Sequence, residues 1–168
     1  MSTPRYVVEP LDTHDRLSFS CGVPDLDHYL HVQAGQDARR KVAAPFVMVD
    51  MTGSVAGYYT LSAYAVRSGE LPPDLARRLP KYPLIPATLL GRFAVSQAHQ
   101  GQKLGRFLLM DALLRSWRNT AEVASVGVVA EAYNEAVRGF YLRHEFIPLL
   151  DQSRKVFIAM STIQKAFA

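Results

Sequence analysis

Hydrophobic positions along this chain switch between a two-residue and a three-to-four-residue period, and the switches mark its elements. Tyr6-Val7-Val8 predicts a short opening strand ended by Pro10, and Asp12 to Phe19 a weak helix or turn. The breakers Cys21-Gly22-Val23-Pro24 lead to Asp25, read as a helix N-cap. Leu26, Leu30, Ala34, Ala38 and Val42 then form one stripe at four-residue spacing, predicting a helix that Pro45 stops. Phe46–Val49 and Val55–Val66 are β-rich runs around Asp50-Met51-Thr52-Gly53, a hairpin signal. Gly57 in the second run predicts a bulge or a tight approach. At least two of Tyr58, Tyr59 and Tyr64 are expected to be packing residues.

Residues 71–87 carry Pro72, Pro73, Pro80, Pro83 and Pro86 among Arg77, Arg78 and Lys81. They predict an irregular crossing segment that flanks a binding cleft, with a helical turn or two from Pro73-Asp74. Thr88–Val95 is nearly continuous in apolar residues, the pattern of a central strand buried on both faces. Leu104–Arg118 predicts a deeply packed helix, polar only along Asp111, Arg115 and Arg118. Ser125–Ala130 predicts a buried strand. Glu131-Ala132-Tyr133-Asn134 opens a helix with Val137, Phe140, Tyr141 and His144 on its inward face. Ile147–Leu150 and Lys155–Met160 predict a closing hairpin around Asp151-Gln152-Ser153. The order is mixed α/β, ending in strands.

At 168 residues, 49% hydrophobic and 20% charged, the chain is expected to be one soluble domain spanning 1–168. No apolar run approaches the roughly eighteen residues of a membrane span. Met1-Ser2-Thr3-Pro4-Arg5 lacks the charged and apolar regions of a signal peptide, and Cys21, the single cysteine, forms no internal disulfide; both fit a cytoplasmic location. As a nucleophile Cys21 has no dedicated partner in view. The net charge of +4 is compatible with an anionic cofactor or nucleic acid and proves neither. The five histidines show no metal-ligand spacing, so no metal is expected.

The candidate chemistry starts where the strand ending Arg92-Phe93-Ala94-Val95 meets a polar turn, Ser96 to Gln102, and the helix from Leu104. Gly101 and Gly105 flank Gln102-Lys103-Leu104, so backbone amides at 101–106 gather where the helix dipole is positive and suit a diphosphate. A plain strand-to-helix turn explains the same residues. The loop is neither a P-loop, lacking Gly-Lys-Ser/Thr, nor a complete dinucleotide pattern. Arg92, a charge in an apolar strand, reads either as a substrate phosphate contact or as one half of a structural salt bridge. Arg39-Arg40-Lys41 reads as helix capping and solvation or as a phosphate-contacting patch. Tyr141, on composition alone, is a core aromatic, and His99 is expected to face solvent.

Arg92-Phe93-Ala94-Val95, the loop at 100–105, and Phe140-Tyr141 followed by Phe146 resemble the GNAT superfamily of N-acetyltransferases. The family's loop follows Gln/Arg-x-x-Gly-x-Gly/Ala; here Gln100 takes the first place, Lys103 stands where the first Gly belongs, and Gly105 takes the last. Glu145 likewise stands where the family's Phe-Tyr-x-x-x-Gly-Phe carries Gly. Phe19-Ser20-Cys21-Gly22, Leu26-Asp27-His28-Tyr29-Leu30, Gly57-Tyr58-Tyr59-Thr60-Leu61-Ser62 and Leu79-Pro80-Lys81-Tyr82-Pro83 narrow the resemblance to the toxin branch. It spans residues 19 to 160.

The resemblance implies a mixed, mostly antiparallel sheet flanked by helices, with splayed central strands. It implies an acetyl-CoA-dependent enzyme, needing no metal, that acetylates the amino group of aminoacyl-tRNA and arrests translation. A ribbon-helix-helix antitoxin would neutralise it, DNA would be met only through the antitoxin complex, and the chain would form a homodimer. Tyr141 would return a proton to the departing CoA thiolate, as a phenol of pKa about 10 can. Ala94 and Val95 would hold the pantetheine arm through backbone amides. Gln100, Gly101, Gln102, Lys103, Leu104, Gly105 and Arg106 would cradle the pyrophosphate, and Asn134 would hydrogen-bond the cofactor. Arg92, Arg39, Arg40, Arg77 and Arg78, with Lys41 and Lys81, would contact tRNA. No strong general base is visible; water can deprotonate the amine, leaving positioning as the main contribution. The rival readings are a GNAT enzyme acting on a small amine or protein N-terminus, and a non-catalytic module binding acyl-CoA or an antitoxin.

Overall fold

A computed structural model of the chain describes residues 5–150 and 154–167. Met1–Pro4 and the expected hairpin turn Asp151–Ser153 lie outside the described residues. Among the described residues seven strands form one sheet, in the order β1 (Val7–Pro10), β2 (Ala44–Val49), β3 (Val55–Arg67), β4 (Leu84–Val95), β5 (Gly127–Glu131), β7 (Lys155–Ala159), β6 (Ile147–Pro148). β1 with β2, β2 with β3, β5 with β7 and β6 with β7 pair antiparallel, and β4 with β5 pairs parallel. Two compact units divide the chain, one within Met1–Ser62 and Gly91–Ala112, the other within Ala63–Leu90 and Leu113–Ala168.

In the first unit, β1 (Val7–Pro10) pairs with β2 (Ala44–Val49) from Val7↔Val49 to Pro10↔Phe46. β2 pairs in turn with the opening part of β3 (Val55–Arg67), where Ala44 faces Leu61. The predicted hairpin is therefore present. Gly57 is a tight approach: a Cβ there would stand 3.0 Å from the Ala94 carbonyl oxygen. Residues 12–19 form a turn with no helix.

The four-residue stripe is not one α-helix. It is α1 (Pro24–His28), a π-turn (Tyr29–Gln33) and α2 (Ala34–Arg40). In an α-helix, residues four apart gain about 40° on each step, so the stripe would drift around the axis. The wider π-turn takes that lead back and leaves Leu30 and Ala34 both fully buried. Two expectations fail here. Asp25 is not the cap: Val23 holds that position, with Pro24 pre-organised at the first helical residue and Asp25 in the first turn. The helix stops not at Pro45 but at Lys41, left-handed at φ 62°. The core of this unit centres on Phe19, Tyr29, Leu30, Val47 and Tyr58.

In the second unit, β3 runs into a 3₁₀ turn (Ser68–Glu70) and α3 (Pro73–Ala76), a single turn opened by Pro73 as expected. β4 (Leu84–Val95) begins four residues before the expected Thr88 and takes Pro86 into the strand. Pro86 is exposed, and its carbonyl accepts from Val126 N at 2.9 Å. β4 is not buried on both faces; buried and exposed positions interleave along it. Its parallel pairing with β5 (Gly127–Glu131) covers Thr88–Leu90, and the strand continues beyond these pairs to Val95. β5 pairs with β7 (Lys155–Ala159), which pairs with the two-residue β6 (Ile147–Pro148). The chain does not end in strands. Met160–Phe167 form α6, opening with Met160 N donating to Val126 O at 2.9 Å. Val66, Ile85, Val129, Leu149 and Phe157 are central to this unit's core.

Candidate functional site

The loop after β4 is built by a series of backbone anchors. Ser96 N donates to Ala56 O and Gln97 N to Ser20 O, both at 2.8 Å. Ser96 Oγ accepts from Ala98 N at 3.3 Å and starts the 3₁₀ turn Gln97–His99. Gln100 Nε2 donates to Val95 O at 3.1 Å, fixing the loop to the strand end that carries Ala94 and Val95. Two left-handed residues, Gly101 at φ 85° and Lys103 at φ 60°, then swing the chain into α4 (Leu104–Asn119).

Lys103 thus adopts the backbone that glycine adopts easily, at a cost of roughly 1–2 kcal/mol for an L-residue. The turn survives the departure from the motif. Its side chain is exposed, as are those of Gln100, Gln102 and Arg106, while Leu104 is buried and Gly105 half-buried. The first turn of this 16-residue helix carries no acidic residue. Cations at a helix N-terminus oppose the dipole and are favourable only where an anion sits between them and the amides. This fits the pyrophosphate of acetyl-CoA.

Among the described residues Arg92 forms no salt bridge of the kind considered above. Its guanidinium carbon lies 3.9 Å from the centroid of the Tyr29 ring, a cation–π stack on an exposed side chain. Tyr29 OH donates to Asp37 Oδ2 at 2.8 Å, and Gln33 Nε2 to Asp37 Oδ1 at 2.9 Å. The Gln33 bond and then the Tyr29 bond hold the Asp37 carboxyl below its usual range. Burial, reinforced by the Asp37 bond, pushes the Tyr29 phenol well above its ordinary value. The π-turn supplies both Tyr29 and Gln33, so it builds the platform under Arg92. Arg39, Arg40 and Lys41, at the end of α2, are all exposed.

In the second unit, Tyr141 lies on α5 (Glu135–Arg143) and is buried, with the Phe146 ring centroid at 5.1 Å and that of Phe140 at 5.5 Å. Burial raises its phenol above the ordinary value, which keeps it in the protonated form a proton donor needs. α5 opens four residues later than expected: Glu131 ends β5, and Asn134 is the N-cap, its Oδ1 accepting from Val137 N at 2.9 Å. The helix closes in a Schellman turn. Phe146 N donates to Tyr141 O at 3.2 Å, and Glu145 takes φ 70°. The family glycine position is again left-handed, and the turn lays Phe146 against Tyr141. Arg77, Arg78 and Lys81 are exposed, Arg77 being ion-paired to Asp74.

One side chain differs from expectation. His99 does not face solvent; it is half-buried and paired with Asp50. Cys21 keeps to expectation: burial and then its contact with Asp27 push the thiol up to about 11, which disfavours the thiolate a nucleophile needs. Among the described residues no three His, Cys, Asp or Glu side chains gather to hold a metal ion, and no helix is long and apolar enough to cross a membrane.

No family model matches the chain. A tRNA-acetylating toxin of Mycobacterium tuberculosis (strain ATCC 25618 / H37Rv) is 32% identical over 145 residues, covering 86% of this chain and 84% of its own. The chain belongs to the tRNA-acetylating toxins. Solved structures agree with that placement. A Tyr-to-Phe mutant of KacT superposes on this toxin with a TM-score of 0.91 at 27% identity, covering 98% of this chain and 100% of its own. AtaT complexed with acetyl-methionyl-tRNAfMet reaches 0.90 at 28% identity, covering 97% and 99%. Other AtaT structures contain acetyl-CoA, the antitoxin AtaR or DNA. The fold of the toxin is the GNAT fold expected from its sequence, an N-acetyltransferase scaffold.

Proposed function

We propose that this chain, acting as a single catalytic domain over 1–168, transfers the acetyl group of acetyl-CoA to the amino group of aminoacyl-tRNA and so blocks translation. The observation that carries the reading is the loop Gln100–Arg106. Two left-handed residues turn it onto the N-terminus of a long helix whose first turn bears no carboxylate. AtaT, which shares the fold, is known in complex with acetyl-methionyl-tRNAfMet and with acetyl-CoA.

In this reading the loop amides, with Lys103 and Arg106, hold the pyrophosphate, and the amides of Ala94 and Val95 hold the pantetheine arm. Asn134, whose Oδ1 caps α5, offers its amide N–H groups to the cofactor. The aminoacyl nitrogen attacks the thioester carbonyl, the C–S bond breaks, and Tyr141 gives its proton to the CoA sulfur. The proton lost by the amine passes to water, which restores the phenol. Arg92, held flat on Tyr29, meets a phosphate of the acceptor end; Arg39, Arg40, Lys41, Arg77, Arg78 and Lys81 add counterion-releasing contacts along the tRNA, so binding weakens as salt rises. We further infer a homodimer in the cytoplasm, neutralised by a ribbon-helix-helix antitoxin and reaching DNA only through that complex.

The test is incubation of the purified chain with labelled acetyl-CoA and a charged tRNA pool, with the Tyr141→Phe variant alongside. Label on aminoacyl-tRNA, a fall in turnover of about a hundredfold or more in the variant, and unchanged acetyl-CoA binding are expected. Label on a small amine in place of tRNA, or unchanged turnover in the variant, refutes the reading.

A further inference from the structure

The cofactor loop is fastened by a pair of side chains that the chemistry above does not use. His99 ends the 3₁₀ turn just before Gln100–Arg106, and its Nε2 lies 3.0 Å from Asp50 Oδ2. Asp50 itself is held tightly. Its Oδ1 accepts from Thr52 N at 2.9 Å, Thr52 Oγ1 at 2.6 Å and Ser54 N at 3.0 Å. Its backbone N–H donates to Ser54 O at 3.0 Å, closing the turn between β2 and β3. That turn is a bracket with one carboxylate oxygen left over, and the oxygen faces His99.

The two side chains are only 16% and 20% exposed, so solvent screens the pair less than a surface contact. A carboxylate only accepts, so Nε2 must carry a proton to bond it. His99 Nδ1 is buried without a hydrogen-bond partner among the described residues, and a proton placed there would be stranded. The ring is therefore committed to the Nε2–H form that points at Asp50. A second fastening lies inside the loop: Tyr6 sets its ring edge-on to His99 at 6.1 Å and donates its OH to Gln102 Oε1 at 2.9 Å.

We propose that Asp50 and His99 form a positioning pair that holds the loop Gln100–Arg106 in its anion-binding shape, so that acetyl-CoA meets amides already gathered. This rests on the loop being the acetyl-CoA loop, as argued above. A glycine-containing turn released from its bracket explores many shapes, and the ligand must then order it on arrival at the expense of affinity. The pair touches neither thioester nor amine, so its removal acts on cofactor binding and not on the chemical step.

The experiment compares wild type with His99→Ala, His99→Gln and Asp50→Asn. It measures initial rates at varied acetyl-CoA, direct acetyl-CoA binding by calorimetry, and melting temperature. His99→Ala is expected to raise KM and Kd for acetyl-CoA about tenfold with kcat within about twofold. His99→Gln, whose Nε2 reaches the same carboxylate, recovers most of the loss. Asp50→Asn keeps an acceptor for Thr52 and Ser54 but sets an amide N–H against His99 Nε2–H. It is expected to weaken binding severalfold and keeps the proposal testable should His99→Ala fold poorly. A lower melting temperature with unchanged Kd, or equal weakening in His99→Ala and His99→Gln, overturns the proposal. Wild-type chain that binds no acetyl-CoA overturns the functional reading itself, a result that needs no variant to see.

Discussion

Glu145 occupies a backbone conformation made for glycine, and replacing it should make the protein more stable. The left-handed φ of 70° costs an L-residue roughly 1–2 kcal/mol. Its carboxylate also stands just past the C-terminus of α5, where the helix dipole disfavours an anion by roughly 0.3–1 kcal/mol. Against these, glycine gives the unfolded chain more freedom, returning roughly 0.5–1 kcal/mol. Glu145 is exposed, so little packing goes with the side chain. The balance for Glu145→Gly is a gain of about 1 kcal/mol, which for a chain of this length is a rise in Tm of roughly 2–4 °C. Glu145→Gln removes the charge and keeps the strain, so it should recover only a few tenths of a kcal/mol. Thermal unfolding followed by circular dichroism, with calorimetry for the enthalpy, separates the two variants. A Glu145→Gly protein that melts no higher than Glu145→Gln would refute the assignment of strain to this residue.

Lys103→Gly should raise Tm by a similar amount while weakening acetyl-CoA binding about threefold, since it relieves φ and removes a cation from the helix N-terminus; calorimetric titration beside a melt checks both signs. Gly127→Ala should destabilise by about 3 kcal/mol or prevent folding, because a Cβ there would lie 2.4 Å from Ile158 O and 2.5 Å from Phe157 Cζ; urea titration measures it. The Thr52 hydroxyl bond, with smaller help from His99 and the Ser54 amide, holds the Asp50 carboxyl down at about 2 against an ordinary 3.8. A depressed carboxyl stabilises the fold above its unfolded pKa and loses that contribution as pH falls through the folded value. Asp50→Asn should therefore flatten the dependence of stability on pH between about 4 and 2, and identical acid profiles for variant and wild type would contradict it.

The large periodic elements were legible because burial imposes a period on the sequence. The hairpin around Asp50–Gly53 and the helix from Leu104 are of this kind. What escaped were features set by tertiary partners. The stripe from Leu26 to Val42 shows spacing but not winding, so the π-turn at Tyr29–Gln33 stayed hidden behind an ordinary helical pattern; its exact four-residue spacing was the available clue. Pro86 argued against a strand, yet an exposed strand position needs no N–H from it. Met160 directly continues the β-rich run before it, and the helical spacing of Met160, Ile163 and Phe167 starts only there. In the site, the motif departures at Lys103 and Glu145 were legible and their conformation was not. The burial of His99 has no local signal, because its partner, Asp50, is 49 positions away.

The π-turn also gives this segment one residue that its flanks do not need. A π-turn takes up a residue more than the α-helical winding it replaces, so deleting one from Tyr29–Gln33 would restore ordinary winding and leave both flanks facing as they do. Leu26, whose carbonyl takes the Tyr58 hydroxyl at 2.7 Å, and Asp27, whose Oδ1 takes Cys21 N at 2.8 Å, would keep their stations. The convergence of Tyr29 and Gln33 on Asp37 would go, and with it the ring under Arg92. The same deletion within α2 would meet no wide turn to absorb it and would rotate one flank by about 100°. The segment thus tolerates a shortening at one place, where the loss falls on the site and not on the core.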